Sequence, residues 1–202
     1  MLFDFTKNKE TAKENKLVIS EKVKYDNFLC ATTRDMVEVL KGGELKGGEL
    51  KAGEQYRIVS EKSFNAIVVL DYFNRIYKLT EVVMAVYRIN YIAVDALVSM
   101  IENNEFLTMQ ILLSSFFREN RRYEKWCETL THLAKEQPRL RVGFAHNHAK
   151  VFLAKTECGK NIVFEGSGNL SDNARIEQYT LEDNEQVYDF HRNWIINQIN
   201  KN

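Results

Sequence analysis

The apolar and polar positions of this chain change period several times after residue 55, and each change marks an element. Residues 81–89 read EVVMAVYRI, the continuous apolar, β-branched run of a strand buried on both faces. Just before it, SFNAIVVLDYFNRIYK (63–78) puts Phe64, Ile67, Val68 and Tyr72 at helical spacing behind a capping Ser63, which predicts a helix. Helical spacing returns in AVDALVSMIEN (93–103) and in the charged ENRRYEKWCETLTHLAKE (119–136), which stops before Pro138. Between them FLTMQILLSSFF (106–117) reads as a strand. RLRVGFAHNHAKVFLA (139–154) and NIVFEGSGN (161–169) follow as strands joined by the turn TECGK, and VYDFHRNWIINQI (187–199) closes the chain as a helix. The alternation predicts an α/β sandwich with a mixed, mostly parallel sheet flanked by helices, its chemistry near strand ends and loops.

Upstream the pattern is different. KGGELKGGELKAGE (41–54) holds five of the nine glycines, a density that prevents a stable helix and reads as a linker or mobile hairpin. Before it come a short strand candidate, KLVIS (16–20), and a helix candidate, TTRDMVEVLK (32–41), with Thr32 or Thr33 as cap and Met36, Val37 and Leu40 at helical spacing. These are too little for a core of their own. The expected organisation is an N-terminal extension with a Gly-rich linker over residues 1–54 and one domain over 55–202.

Composition narrows the class. The 202 residues are 45% apolar and 28% charged, the balance of a globular chain. With 28 basic and 28 acidic residues the chain lacks the bulk charge that holds nucleic acid non-specifically, so any such role needs a local patch. One exists: residues 139–160 carry five basic residues and one acid, whereas residues 172–189 carry six acids against Arg175. The cysteines, at 30, 127 and 158, are odd in number and lack CxxC spacing, which suits a reducing compartment. No signal peptide opens the chain and no apolar run approaches the roughly 20 residues of a membrane span, so the expectation is a cytoplasmic protein without a membrane partner.

The candidate chemistry lies in HAKVFLAKTECGKNIVFEGSGN (148–169). On a continuous strand, His146, His148, Lys150 and Phe152 share one face. A turn at Gly159 folds the chain back, so Ser167 and Asn169 reach the same pocket, with Gly166 and Gly168 allowing close approach to the backbone. Imidazole, ammonium and carboxamide converging on one point suit a phosphodiester: His148 can attack or move a proton, while Lys150 and Asn169 hold the non-bridging oxygens. This chemistry needs no metal and no cofactor. A carboxylate behind the imidazole would fix its tautomer, and Glu177 is the nearest downstream candidate.

These residues resemble the signature of the phospholipase D superfamily: His, any residue, Lys, four residues, Asp, then Gly-Ser-x-Asn. His148, Lys150, Gly166, Ser167 and Asn169 match it, and the alternating order from about residue 56 onward is similar to one half of that fold. The chain departs from the signature at Lys155, which stands where the family has its aspartate, and in Glu177, which lies nearer the asparagine than the family's glutamate does; Asp172 and Glu182 are the substitutes. The family uses two facing histidines. With a single copy of the motif, the resemblance implies a homodimer with a shared site, in which one His148 forms a phosphohistidine and the other serves the leaving group. It also implies a metal-independent nuclease, because short single-motif members are mostly nucleases.

Blander readings accompany each feature. His148 and Lys150 can be an ordinary strand pair and GSGN a plain turn. His146, His148 and Cys158 could suggest zinc, though a fourth ligand is not evident. GSGNLS lacks the third glycine of a dinucleotide site and the Gly-Lys-Ser/Thr of a P-loop. Arg118, Arg121, Arg122 and Lys125 could track a phosphate backbone or simply face solvent. Tyr87 and Arg88, ending the first buried strand, are candidates to line the pocket. The reading favoured is a hydrolase acting on DNA or RNA. The alternatives are an inactive nucleic-acid-binding module of the same fold and a phosphodiesterase acting on phospholipid.

Overall fold

The computed structural model describes residues 22–30, 50, 52–60, 65–120, 124–171 and 176–201. The expected strand 16–20, the expected helix 32–41, the Ser63 cap and most of the glycine-rich segment lie outside the described residues. Eight strands form one sheet: β1 (Lys22–Cys30), β2 (Glu54–Ser60), β3 (Leu79–Val86), β4 (Thr108–Ser114), β5 (Leu140–Ala145), β6 (Lys150–Thr156), β7 (Asn161–Gly166) and β8 (Glu177–Asp183). Their order is β1-β2-β8-β7-β6-β3-β4-β5. Around it lie α1 (Ile67–Tyr77), α2 (Tyr91–Asn103), α3 (Ser115–Glu119), α4 (Glu124–Glu136) and α5 (Glu185–Ile199).

The β3 run behaves as its pattern demands. Val82, Val83, Met84, Ala85 and Val86 are all fully buried, and alternate side chains enter two different cores. Val82, Met84 and Val86 pack with α1, α2 and α4, whereas Val83 and Ala85 pack with Tyr188, Ile195 and Ile199 of α5. Helices on both faces therefore make a continuous apolar strand the stable choice.

The sheet is mixed, as expected, but it is not mostly parallel. Four neighbouring pairs are antiparallel (β2·β8, β8·β7, β7·β6, β6·β3) and three parallel (β1·β2, β3·β4, β4·β5). Among the described residues, helical crossovers connect β3 to β4 and β4 to β5. Beyond β5 the connections are short. The turn between β6 and β7 closes on Gly159 (φ 85°) and on a bond from the Lys160 amide to Thr156 Oγ1, so the chain returns antiparallel.

Three further expectations are corrected. The strand expected over 106–117 ends at Ser114, and the next residues turn into α3, which buries Phe117 and exposes Phe116. The strand expected over 139–154 is two strands, β5 and β6, separated by residues 146–149. Strand β2 was not foreseen, although QYRIVS alternates cleanly: Tyr56 and Ile58 are in the core while Arg57 is exposed. Nor was β8, in which Tyr179 and Leu181 do the same.

Candidate active site

The pairing directions bring the carboxyl ends of β2, β3, β4, β5 and β7 and the amino ends of β6 and β8 to one edge of the sheet. The loop 146–149 lies across this edge. It must carry the chain from β5 past β4 and β3 to β6, three strand spacings or about 14 Å. Five Cα steps, from Ala145 to Lys150, reach about 17 Å when extended, so the loop is nearly taut. This is why it reads as strand in the sequence: the backbone is extended, but it crosses the strands instead of joining them. Asn147 fixes it, donating from Nδ2 to the carbonyls of Val86 and Leu112 (both 3.4 Å) and accepting at Oδ1 from the Ala149 amide (2.8 Å). Asn147 thus holds the histidine loop to β3 and β4.

With the loop held, His148 and Lys150 meet. Lys150 Nζ lies 2.8 Å from His148 Nδ1 and donates to the His148 carbonyl at 2.8 Å. Lys150 is only 7% exposed. Burial holds its ammonium below the ordinary lysine value; the Glu177 carboxylate opposes that shift and the Arg88 guanidinium adds to it. None of the described carboxylates is in ion-pair contact with Lys150. The Tyr87 ring lies 4.7 Å from the His148 ring, and Lys150 Nζ sits 5.8 Å from the Tyr87 centroid.

The other half of the motif is tied to the same edge. The Ser167 hydroxyl donates to Glu177 Oε2, and Ser167 Oγ accepts from the Gln178 amide at 3.0 Å. Glu177 thus stands beside Ser167 and acts on Lys150 through its charge, with no bond to His148 among the described contacts. Asn169 Oδ1 accepts from the Arg88 amide at 3.1 Å, which ties that carboxamide to the end of β3. Arg88 Nε donates to Ser171 Oγ at 3.1 Å, and the Asn90 amide bonds the Leu170 carbonyl at 2.9 Å, so the loops after β3 and β7 are laced together. At Gly166 a Cβ would come within 2.1 Å of the Gln178 carbonyl and 2.7 Å of the Tyr179 ring. The glycine is required by that approach, before any ligand is considered.

The structure thus brings His148, Lys150, Tyr87, Arg88, Ser167, Asn169 and Glu177 to one edge, with Gly166 and Gly168 in the backbone between. His146 is not part of this group on a shared strand face. It turns to α3, where its Nδ1 lies 3.1 Å from Ser115 Oγ. Cys158 is at the opposite end of β6, away from His148, and among the described residues no three His, Cys, Asp or Glu side chains gather as a metal site. Lys155 also lies away from the edge, opposite Glu81 in register and with Nζ 5.5 Å from the Tyr188 ring centroid.

A cleft of about 650 Å³ opens beside the motif. Its walls include His148, Lys150 and Ser167, and also Arg57, Glu165 and Thr180, none of which the motif reveals. Register puts Arg57, Thr180 and Glu165 in one row across β2, β8 and β7, and Arg57 Nη1 donates to Thr180 Oγ1 at 2.7 Å. Glu165 is held below the ordinary carboxylate value by a hydrogen bond from His191, whose Nε2 is 3.1 Å away. The alternation of β2 is the signal that could have found Arg57.

Among solved structures, the chain is similar to phosphatidylserine synthase from Haemophilus influenzae Rd KW20, with TM-score 0.50 and 13% identity over 72% of this chain and 38% of that one. It is also similar to polyphosphate kinase from Porphyromonas gingivalis, with TM-score 0.48 and 17% identity over 70% of this chain and 25% of that one. The fold is similar to that of the phosphatidylserine synthase. At these identities the likeness is one of fold, and the chain spans well under half the length of either neighbour. No protein-family model matches the chain. No curated protein sequence matches it. Among the described residues no helix is long and apolar enough to cross a membrane.

Proposed function

We propose that the protein is a metal-independent phosphodiesterase of the phospholipase D type that cleaves nucleic acid through His148, in a homodimer whose two copies share the reaction. The observation that carries this reading is a buried lysine, Lys150, bonded to the imidazole of His148 and without an ion-pair partner among the described carboxylates. A buried cation in that state is costly until an anion arrives. A phosphodiester supplies one negative charge shared by two non-bridging oxygens, matched to Lys150 and Asn169. The fold likeness to phosphatidylserine synthase supports phosphodiester chemistry, and Arg57 in the cleft and Arg88 near Lys150 suit an anionic substrate.

In the attacking copy the Lys150 ammonium donates to Nδ1, and the ring N–H is then on Nε2. A phosphate draws the ammonium onto its own oxygen, which releases the Nδ1 lone pair for attack on phosphorus. The P–N bond forms as the P–O bond to the leaving group breaks, and the His148 of the second copy, which enters the reaction as the imidazolium, protonates that oxygen and becomes neutral. The same imidazole then takes a proton from water as the water attacks phosphorus and the P–N bond breaks. A phosphomonoester and both free histidines result.

The test is cleavage of plasmid DNA, single-stranded DNA and RNA in excess EDTA by the wild type and by His148→Ala, with the solution mass of each recorded. Expected are cleavage that survives EDTA, a loss of about 10³-fold or more in the variant, and the mass of a dimer. No cleavage of any of the three by a folded protein would sink the nuclease reading. Turnover of phospholipid vesicles instead would move the substrate to lipid, and nucleic-acid binding without turnover would leave a binding module.

A further inference from the structure

His148 lines two cavities of different character. The 650 Å³ cleft on one side is mixed, presenting Arg57, Glu165, Ser167 and Thr180 beside apolar Ile58 and Val151. The second, of about 320 Å³, is lined by Tyr87, Phe116, His146, Asn147 and His148, so four of its five lining residues are rings. Their positions are set by the fold. The Phe116 and His146 rings meet edge to face at 5.5 Å, Ser115 Oγ sits 3.1 Å from His146 Nδ1, and Tyr87 leans on His148 at 4.7 Å. Of the adjacent phenylalanines in α3, Phe117 is buried and roots the turn, while Phe116 is 60% exposed at the mouth of the notch. Asn147 already uses both ends of its amide on backbone groups, so it forms the floor and the rings form the contact surface.

A phosphodiester held on His148 and Lys150 carries two ester arms, and the site offers one cavity to each. The arm in the mixed cleft fits a sugar and its next phosphate. The ring-lined arm fits a flat, π-bearing group of a few rings at most. Acyl chains would find no extended apolar groove there, and a plain chain of phosphates would gain nothing from the rings. We infer that the notch formed by Tyr87, Phe116 and His146 is a nucleobase-stacking subsite, which makes the preferred substrate single-stranded nucleic acid. In a duplex the faces of each base are covered by its neighbours, whereas a single strand presents them for stacking on side chains. The inference rests on the phosphodiesterase reading above and goes beyond it in naming the strandedness of the substrate and the residue beside the reaction centre that selects it.

The experiment compares fluorescently labelled single-stranded oligonucleotides with phosphorothioate backbones, one intact and one abasic at the nucleotides flanking a central linkage, by anisotropy titration of the wild type and of Phe116→Ala. The wild type should bind the intact strand about tenfold more tightly, the worth of one base on an aromatic platform. In Phe116→Ala that preference should collapse to within about twofold, and Phe116→Tyr should restore it. A 2-aminopurine at the flanking position should be quenched on binding the wild type and less so on binding Phe116→Ala. Equal binding of intact and abasic strands by the wild type would overturn the subsite, and that comparison needs no variant to fold. A dimer that falls to monomer in Phe116→Ala would overturn it too, by showing that a second copy covers the ring. If nucleic acid is cleaved but the base is not felt, the subsite alone fails; if no strand is bound or cleaved, the phosphodiesterase reading fails with it.

Discussion

Two charged clusters hang from neighbouring strands of the same sheet, one centred on Glu81 of β3 and one on Lys150 of β6, and they are resolved in opposite ways. Glu81 accepts from Arg192 through Nε (3.0 and 3.1 Å) and Nη2 (2.8 Å), and from the Tyr188 hydroxyl at 2.7 Å. Burial alone would raise its pKa, but the bonds from Arg192 and Tyr188 and the charge of Arg192 outweigh it, and the carboxyl is held below its ordinary value. Every strong acceptor site of that carboxylate is used. Lys150, by contrast, is as buried as a core residue and donates to a histidine and a carbonyl, neither of them an anion. A saturated ion pair holds α5 to the sheet; a buried cation with no ion-pair contact among the described carboxylates, and only the more distant charge of Glu177 to offset it, is suited to an anion from outside. The difference separates structure from function more sharply than burial or charge does alone.

Removing the charge from each cluster should therefore give opposite signatures. Lys150→Met, close in length and apolar, should lower kcat/KM for a cleaved strand by about 10²–10³-fold, the usual cost of losing one preorganised charge at a phosphoryl oxygen. Its thermal midpoint should be unchanged or higher, because a cation disfavoured by burial has gone. A loss of more than about 1 kcal/mol in a urea titration would instead make Lys150 a structural residue and remove the contrast.

Glu81→Gln should do the reverse: stability falls by about 1–3 kcal/mol while turnover holds within severalfold. Because the folded-state pKa of Glu81 lies below its ordinary value near 4.5, its contribution is present above that value and is lost as pH falls through the folded value. The stability gap between wild type and Glu81→Gln should then be full at neutral pH and shrink in urea titrations carried progressively below about pH 4.5. A gap independent of pH would mean that the interaction is not carried by the charge.

Which of these groups the sequence shows is decided by how local their geometry is. His148 with Lys150, and Ser167 with Asn169, are pairs two residues apart, and a strand-like backbone with a tight turn is enough to bring them together. The buried β3 and the helices α1, α2 and α4 follow from periodicity, which is also local. What periodicity does not carry is the direction in which an extended segment runs relative to its neighbours. The loop 146–149 is as extended as a strand and spans the sheet crosswise, so His146 goes to Ser115 of α3 and Asn147 to the ends of β3 and β4. For the same reason the sheet was expected to be mostly parallel: the alternation of periods is real for β3 to β5, but β2 and β8, both antiparallel to a neighbour on the far side, were not recognised as strands. Arg57 and Thr180 entered the cleft only with them.

The smallest expected effect tests the clearest departure from the family signature. Lys155 occupies the place of the motif's aspartate, and its register partner across β3 is Glu81, with Lys155 Nζ poised 5.5 Å from the Tyr188 ring centroid. The lysine therefore belongs to the saturated cluster, where its positive charge adds to that of Arg192 in favouring the Glu81 carboxylate. Restoring the motif with Lys155→Asp would set two carboxylates opposite each other on adjacent strands, a pairing that costs up to about 1 kcal/mol. The variant should be less stable by about that amount, its acid unfolding should begin at higher pH because Glu81 now protonates more readily, and its rate on a cleaved strand should not rise. A severalfold gain in kcat would show that position 155 serves the His148 site after all, and that the two clusters are coupled along β6.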